Sequence, residues 1–267
     1  MIILMDIGNS RCKWVLVESI DAYHPIDEGS WDNNDFEESL WHEKLSYFNQ
    51  YALSDVVITS VASEQVKEKL TEICREKLRI HAVFAESSAV YHGKASILIN
   101  SYFKPLALGV DRWLAMIGAL ELVDDKKYAV IDAGTAITLD VVINGQHQGG
   151  HIVPGARLMN KSLLGDTGRI AWGAQQDNEM THQQWLGKNT IQAVEFGCFN
   201  ATFGYIQAAV RRLINQYAIK TIVFTGGGSL DLLEQLKQDG LSEGLVHDDQ
   251  LVLKGLHYWF YSKRAKI

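Results

Sequence analysis

The chain carries one pattern twice. Ile2 laid against Tyr128 at a constant offset, with no gap, places Asp6 on Asp132, Gly8 on Gly134 and Asn9-Ser10 on Thr135-Ala136. An apolar run, "IILM" or "YAVI", precedes each aspartate, and "CKWVLV" or "ITLDVV" follows a few residues after each turn. Aliphatic and β-branched runs parted by small polar residues read as strand, turn, strand. A repeat constrains architecture more than any single motif, because one supersecondary unit must then serve at two places. It predicts two homologous halves whose matching strand ends, and hence two carboxylates, face each other across a cleft.

Between the copies the rhythm is that of an α/β sheet. "DVVITSVAS" (55–63) reads as a strand, Glu64 to Leu78 as an amphipathic helix and "RIHAVFA" (79–85) as another strand. Asp111 to Val123 is apolar nearly all round, which predicts a helix buried between layers. In the second half, 191–217 predicts a long helix broken or tightly packed at Gly197 and Gly204, and 221–236 reads as strand, triple glycine, helix. No linker rich in glycine or serine separates the halves. The boundary is expected near residues 119–126, giving domains 1–120 and 121–267.

Composition narrows the function classes. The net charge of −7 and the lack of a long Lys/Arg run leave no general electrostatic grip on nucleic acid. The short basic tail, Lys263, Arg264 and Lys266, reads as solvated. Cys12, Cys74 and Cys198 are far apart and odd in number, so a disulfide framework is not expected, and Cys12 and Cys74 read as core residues. No apolar run reaches membrane-spanning length, and Asp6 interrupts the first run too early for a leader, which predicts a cytoplasmic protein.

The chemistry lies in the turns. A glycine without a side chain lets backbone N–H groups approach an anion, and a neighbouring serine or threonine hydroxyl can donate to phosphate. An aspartate at the strand end suits Mg²⁺, which takes oxygen ligands and keeps several waters. Either turn alone is also what an Asx turn requires; their pairing favours a nucleotide-triphosphate cradle. "TGGG" (225–228), between strand and helix, adds room for a nucleotide. Within "LGVDR" (108–112), Asp111 reads as a helix cap or as a base, and Arg112, opening an apolar helix, asks for a carboxylate or phosphate partner. "GGHIVPG" (149–155) reads equally as a structural or a substrate-facing loop, with His151 a weaker candidate. "GKNT" (187–190) lacks P-loop spacing, and Thr190 in it is a possible substrate contact.

Taken in order, "DIGNSRCKW" (6–14), "YFKPLALGVDR" (102–112), "DAGTAITLD" (132–140), "GGHIVPG", "GKNT" and "TGGG" resemble the type III pantothenate kinases, over essentially the whole length. These belong to the superfamily of acetate and sugar kinases, heat-shock chaperones and actin. The resemblance implies an α/β protein of two duplicated ribonuclease H-like (actin-like ATPase) domains facing a central cleft. It implies transfer of the ATP γ-phosphate to pantothenate, giving 4′-phosphopantothenate, the first step of coenzyme A synthesis. It also implies a homodimer with Mg²⁺ and a monovalent cation, K⁺ or NH₄⁺, and no nucleic-acid or membrane partner.

Carried onto this chain, the family pattern makes Asp111 the catalytic base and gives Mg²⁺ to Asp6 and the monovalent cation to Asp132. Gly8, Asn9, Ser10, Lys13, Gly134 and Thr135 line the phosphates, and Gly226 and Gly227 border the adenosine. Tyr102, Gly109, Arg112 and Thr190 hold pantothenate. Two positions depart: Val110 replaces a usual alanine, and Gly228-Ser229 stands where an acidic residue is common, which leaves the contacts to the nucleotide base open. The alternatives are a non-catalytic transcriptional accessory protein on the same scaffold and another sugar kinase or ATPase of the superfamily. Retention of Asp6, Asp111 and Asp132 together favours the kinase, since a binding scaffold has no chemical need of all three.

Overall fold

The structure is a computed structural model that describes residues 1–32, 37–94, 96–165 and 185–265; Lys266 of the basic tail lies outside them. In chain order the first half holds β1 (Ile2–Ile7), β2 (Arg11–Val17), β3 (Pro25–Asp32), α1 (Glu38–Ser46), β4 (Asp55–Ser60), α2 (Glu64–Leu78) and β5 (Ala82–Phe84). Two short strands, β6 (Val90–His92) and β7 (Ile97–Ile99), and the helix α3 (Val110–Leu122) lead to the second copy. That copy holds β8 (Lys127–Ala133), β9 (Ala136–Ile143), β10 (Gln146–Pro154), α4 (Ala156–Gly165), α5 (Thr190–Tyr217), β11 (Thr221–Thr225), α6 (Ser229–Gln238), β12 (Leu245–His247) and α7 (Leu251–Arg264).

The duplication is visible strand by strand. The first sheet runs β3-β2-β1-β4-β5, and the second runs β12-β11-β8-β9-β10-β7-β6. Read from β10 to β12, the second repeats the first, with an antiparallel hairpin at its centre and two parallel strands added beside it. β4-α2-β5 and β11-α6-β12 are the matching crossover units, as parallel pairing requires a connection of this kind. The repeat is not gapless, however. Asp6 pairs with Lys13 across the first hairpin and Asp132 with Thr138 across the second, so beyond the glycine the second turn is one residue shorter.

Alternation along the strands sets the layers. Ile2 and Leu4 of β1, Val15 and Val17 of β2, and Val57 of β4 face one cluster together with Tyr128, Val130, Val142 and Val223 of the second sheet. Between these two faces lie α3 and α7, with Arg112 to Ala119 buried throughout. Ile3, Met5, Ile7 and Ile58 face outward onto α1 and α2, while Ala129, Ile131 and Phe224 face outward onto α5 and α6. The expected buried helix is thus α3. Its partner α7 crosses it where Gly118 meets Gly255: a methyl on either would strike the backbone carbonyl of Leu251 or Leu114 on the other helix.

Two expectations change. The 190–217 helix is unbroken, and a side chain at Gly197 or Gly204 would meet nothing, so neither glycine marks a close crossing. "GGHIVPG" is mostly strand, the end of β10, because its residues pair with β9 from Val141 to Ala136. β6 and β7 join the second sheet, through pairing of β7 with β10. Cys12 and Cys74 are buried in the outer core of the first half, as expected, and all three cysteines are free.

Candidate active site

The two hairpin turns meet. Gly8 N–H donates to Arg11 O at 3.0 Å and Gly134 N–H to Ala136 O at 3.1 Å, tightening each turn behind its aspartate. Ser10 Oγ and Thr135 Oγ1 lie 3.1 Å apart, a hydroxyl contact from one half to the other. Asn9, Ser10, Gly134 and Thr135 are all exposed at this junction, so their polar groups remain available to a ligand.

Three carboxylates feel one another here. Burial, then the nearby Asp132 and Asp111, push the Asp6 carboxyl up to about 7, with Lys13 opposing. Burial and then Asp111 push Asp132 up to about 6, again against Lys13. Burial and neighbouring carboxylates both resist ionisation, and a cation among the acids opposes both shifts. Lys13 sits opposite Asp6 in the hairpin, and its ammonium also donates to Asp249 O at 3.3 Å.

Asp111 comes from neither turn. It lies in the first turn of α3, whose N-cap position is Gly109, so it is not itself the capping residue. Its Oδ1 accepts the Arg112 N–H at 2.8 Å. A side chain at Gly109 would press on that same Oδ1 at 2.6 Å, so the glycine keeps the carboxylate's place open.

The glycine turn after β11 backs onto Asp132. Thr225 pairs with Asp132, and Gly226 has φ +87°; a side chain there would run into Asp132 Oδ1 and the Ala133 carbonyl. Gly227, by contrast, is exposed, and a side chain at it would meet nothing. Ser229 is buried and spends its hydroxyl proton on Gly226 O at 2.6 Å, which leaves His247 Nε2 to donate to Ser229 Oγ at 3.0 Å. The residue at the departure from the acidic pattern therefore holds the turn.

Arg112 is 5% exposed and turned away from Asp111 into a buried ion pair. Its Nε donates to Asp140 Oδ2 at 2.8 Å and its Nη2 to Asp140 Oδ1 at 2.6 Å, while Nη1 donates to Tyr102 Oη at 2.9 Å. The partner asked for by an arginine opening this helix is therefore first a protein carboxylate. His147 also meets Asp140 Oδ1, at 2.9 Å. His151 points the other way: it pairs with Leu139, not Asp140, and its Nδ1 lies 2.9 Å from Tyr205 Oη on α5. Thr190 opens α5 on an exposed turn capped by Asn189, and no hydrogen bond joins it to Tyr102, Asp111 or Arg112.

The sequence profile of the type III pantothenate kinases matches residues 2–212. The chain belongs to that family. Among named type III pantothenate kinases, that of Colwellia psychrerythraea is 32% identical over 96% of this chain and 98% of its own, and that of Hahella chejuensis is 34% identical over 94% of each. The fold is shared more widely. A ROK family glucokinase from Streptomyces griseus, solved with glucose and AMPPNP, superposes with a TM-score of 0.52 at 11% identity, covering 98% of this chain and 99% of its own. MreB 5 of Spiroplasma citri, bound to AMPPNP, gives 0.52 at 12% identity over 99% and 96%. The kinase therefore has the two-domain, actin-like α/β architecture and is an ATP-dependent phosphotransferase.

The geometry gathers Asp6, Lys13, Asp111 and Asp132 electrostatically, joins Ser10 to Thr135, and sets Gly226 on Asp132. Asp140 and His147 carry no expectation from the sequence. The available signal was an acid inside "ITLDVV", which neither turn nor surface explains. No helix among the described residues is long and apolar enough to cross a membrane.

Proposed function

We propose that the kinase phosphorylates the primary hydroxyl of pantothenate, with Asp111 as the base. The observation that carries this reading is the coupling of three carboxylates where the turns of the two halves touch, with Asp111 alone on a helix start beside an arginine. The hydroxyl oxygen bonds to the γ-phosphorus as the bond from phosphorus to the β,γ-bridging oxygen breaks. ADP leaves with that electron pair, and the hydroxyl proton passes to the Asp111 carboxylate. Ser10, Thr135, Lys13 and the turn backbone, with Gly8, Asn9 and Gly134, hold the phosphates. Gly227 leaves space for the adenosine over Gly226, and Tyr102, Gly109, Arg112 and Thr190 hold the acceptor.

The donor set fits Mg²⁺. It offers hard carboxylate oxygens, and among the described residues no three His, Cys, Asp or Glu side chains group closely enough to enclose an ion by themselves, which leaves coordination to water and phosphate. Asp6 would hold the divalent ion and Asp132 a monovalent one; bound there, they supply positive charge against the triphosphate. Fully exposed Phe103 and exposed Leu106, beside Tyr102, support self-association into a homodimer. The reading places the enzyme in the cytoplasm, with no nucleic-acid or membrane partner.

The test is a coupled assay of ADP release from MgATP, with and without pantothenate, in K⁺ and again in Na⁺. Pantothenate-dependent release stimulated by K⁺ is expected. Release indifferent to pantothenate overturns the acceptor, and equal rates in the two salts remove the cation from Asp132.

A further inference from the structure

Asp140 and His147 are 2% and 0% exposed, and neither has a part in the reaction just described. Asp140 lies in β9 with its side chain on the α3 side. A carboxylate only accepts hydrogen bonds, so the ring nitrogen 2.9 Å from Asp140 Oδ1 must carry a proton: His147 is protonated at Nε2. Its other nitrogen, Nδ1, faces Ser101 Oγ at 3.3 Å, and its ring stacks on Tyr102 at 18° and 6.0 Å between centroids. The Tyr102 ring in turn lies 5.8 Å from the Arg112 guanidinium carbon. One buried carboxylate thus accepts three charged or polar N–H groups, two of them from one arginine.

The backbone is shaped to allow this. Gly150 pairs with Asp140 and His147 with Val142, although residues three apart on a regular strand point to opposite faces. A bulge between His147 and Gly149, with Gly149 at φ +103°, resets the alternation and puts both on the Asp140 face. Gly150 then passes over the ion pair, where a side chain would press on Asp140 Oδ1 at 2.5 Å and Arg112 Nη2 at 2.7 Å. Arg112 N–H meanwhile binds Asp111 Oδ1, so the backbone at Arg112 touches the base while its side chain is fixed to β9.

We infer that Asp140 and His147 are positioning residues: Asp140 grips the Arg112 guanidinium in a two-point bond, and His147 fixes the rotation of Asp140, so that Arg112 and Tyr102 meet the acceptor substrate in one orientation. This rests on the reading that Arg112 faces the acceptor. With Nε and one N–H of Nη2 spent on Asp140 and one of Nη1 on Tyr102, the Tyr102 phenol is an acceptor toward Arg112 and keeps its own proton for a ligand. The bulge, the glycine and the histidine are together a scaffold for one arginine.

The experiment compares His147→Leu, which removes the donor at similar bulk, with His147→Gln, whose amide can still donate. Two readouts are taken on the full chain: exchange of the Arg112 Nε–H, followed by ¹⁵N NMR and assigned with Arg112→Lys, and KM for each substrate. His147→Leu is expected to speed Nε–H exchange about 10-fold and raise the pantothenate KM about 10-fold, with the ATP KM held within about 2-fold, while His147→Gln recovers most of both. Unchanged Nε–H exchange in His147→Leu, or KM values for ATP and pantothenate rising together, overturns the inference. If the wild-type enzyme shows no turnover with pantothenate, the functional reading fails on its own, and the exchange comparison still decides whether His147 positions Arg112.

Discussion

The Asp6 turn and the Asp132 turn share a central hairpin, a glycine two residues on and a half-buried carboxylate, yet their surroundings differ in four ways. Opposite Asp6 stands Lys13, and opposite Asp132 stands Thr138. The first turn is one residue longer. Beside Asp6 the parallel strand β4 ends at Ser60 and runs into Val61, whereas beside Asp132 β11 runs into three glycines. The helices that close each half differ too: α3 opens with Val110, Asp111 and Arg112, and α7 opens with Leu251, Val252 and Leu253. Duplication supplied a pair of carboxylates; divergence placed an ammonium on one side, bare backbone on the other and a third acid at one helix only.

The comparison breaks hardest at Asp111, which has no counterpart in α7. Asp111→Asn is expected to lower kcat roughly 100- to 10,000-fold with ATP affinity little changed; single-turnover assays and nucleotide titration separate these, and equal loss of both would make Asp111 a structural residue of α3. Next come the twinned acids. Asp6→Asn is expected to raise the Mg²⁺ concentration for half-maximal rate about 10-fold, and Asp132→Asn to flatten the K⁺ response instead. If both titrations respond alike in both variants, the two turns are not specialised.

A smaller difference separates Gly226 from Gly227. Gly226→Ala meets Asp132 in a left-handed backbone and is expected to cost about 1–3 kcal/mol by chemical denaturation, while Gly227→Ala stays within about 0.5 kcal/mol. Acid stability offers a further distinction. Both aspartates hold protons in the folded, cation-free chain that the unfolded chain has already lost, Asp6 up to about 7 and Asp132 up to about 6. Folded protein binding more protons means that stability falls as pH rises, so in chelator the melting temperature should drop between about pH 4 and 7. Asp6→Asn should flatten that slope further up the scale than Asp132→Asn does. The least effect belongs to Ser10→Ala, expected to cost under about 1 kcal/mol in folding, because its hydroxyl pair with Thr135 is exposed.

The repeated hairpin was legible because strand, aspartate and glycine occur at one offset, and α3 because its apolar residues leave no polar face. The turn length was not, since an insertion after a glycine is visible only through pairing register. Nor was the glycine role of 149–150: a bulge resets side-chain alternation without altering composition. The Arg112 partner was missed for the same reason, because Asp140 and His147 are separated in sequence by a turn and joined only across β9 and β10. Conversely, Gly197 and Gly204 suggested a break in α5 that packing does not require.

The crossing of α3 and α7 has its own consequence. Helices usually fix their angle by setting the side-chain ridges of one into the grooves of the other, but at Gly118 and Gly255 neither helix has a ridge, and the backbones touch directly. Resistance to closer approach there is steep, since any added atom strikes a carbonyl, while resistance to twist falls to the residues flanking the contact. The kinase thus has a fulcrum where α3 crosses α7, and torsion about that point would be felt at the hairpin turns, where the two halves touch through Ser10 and Thr135.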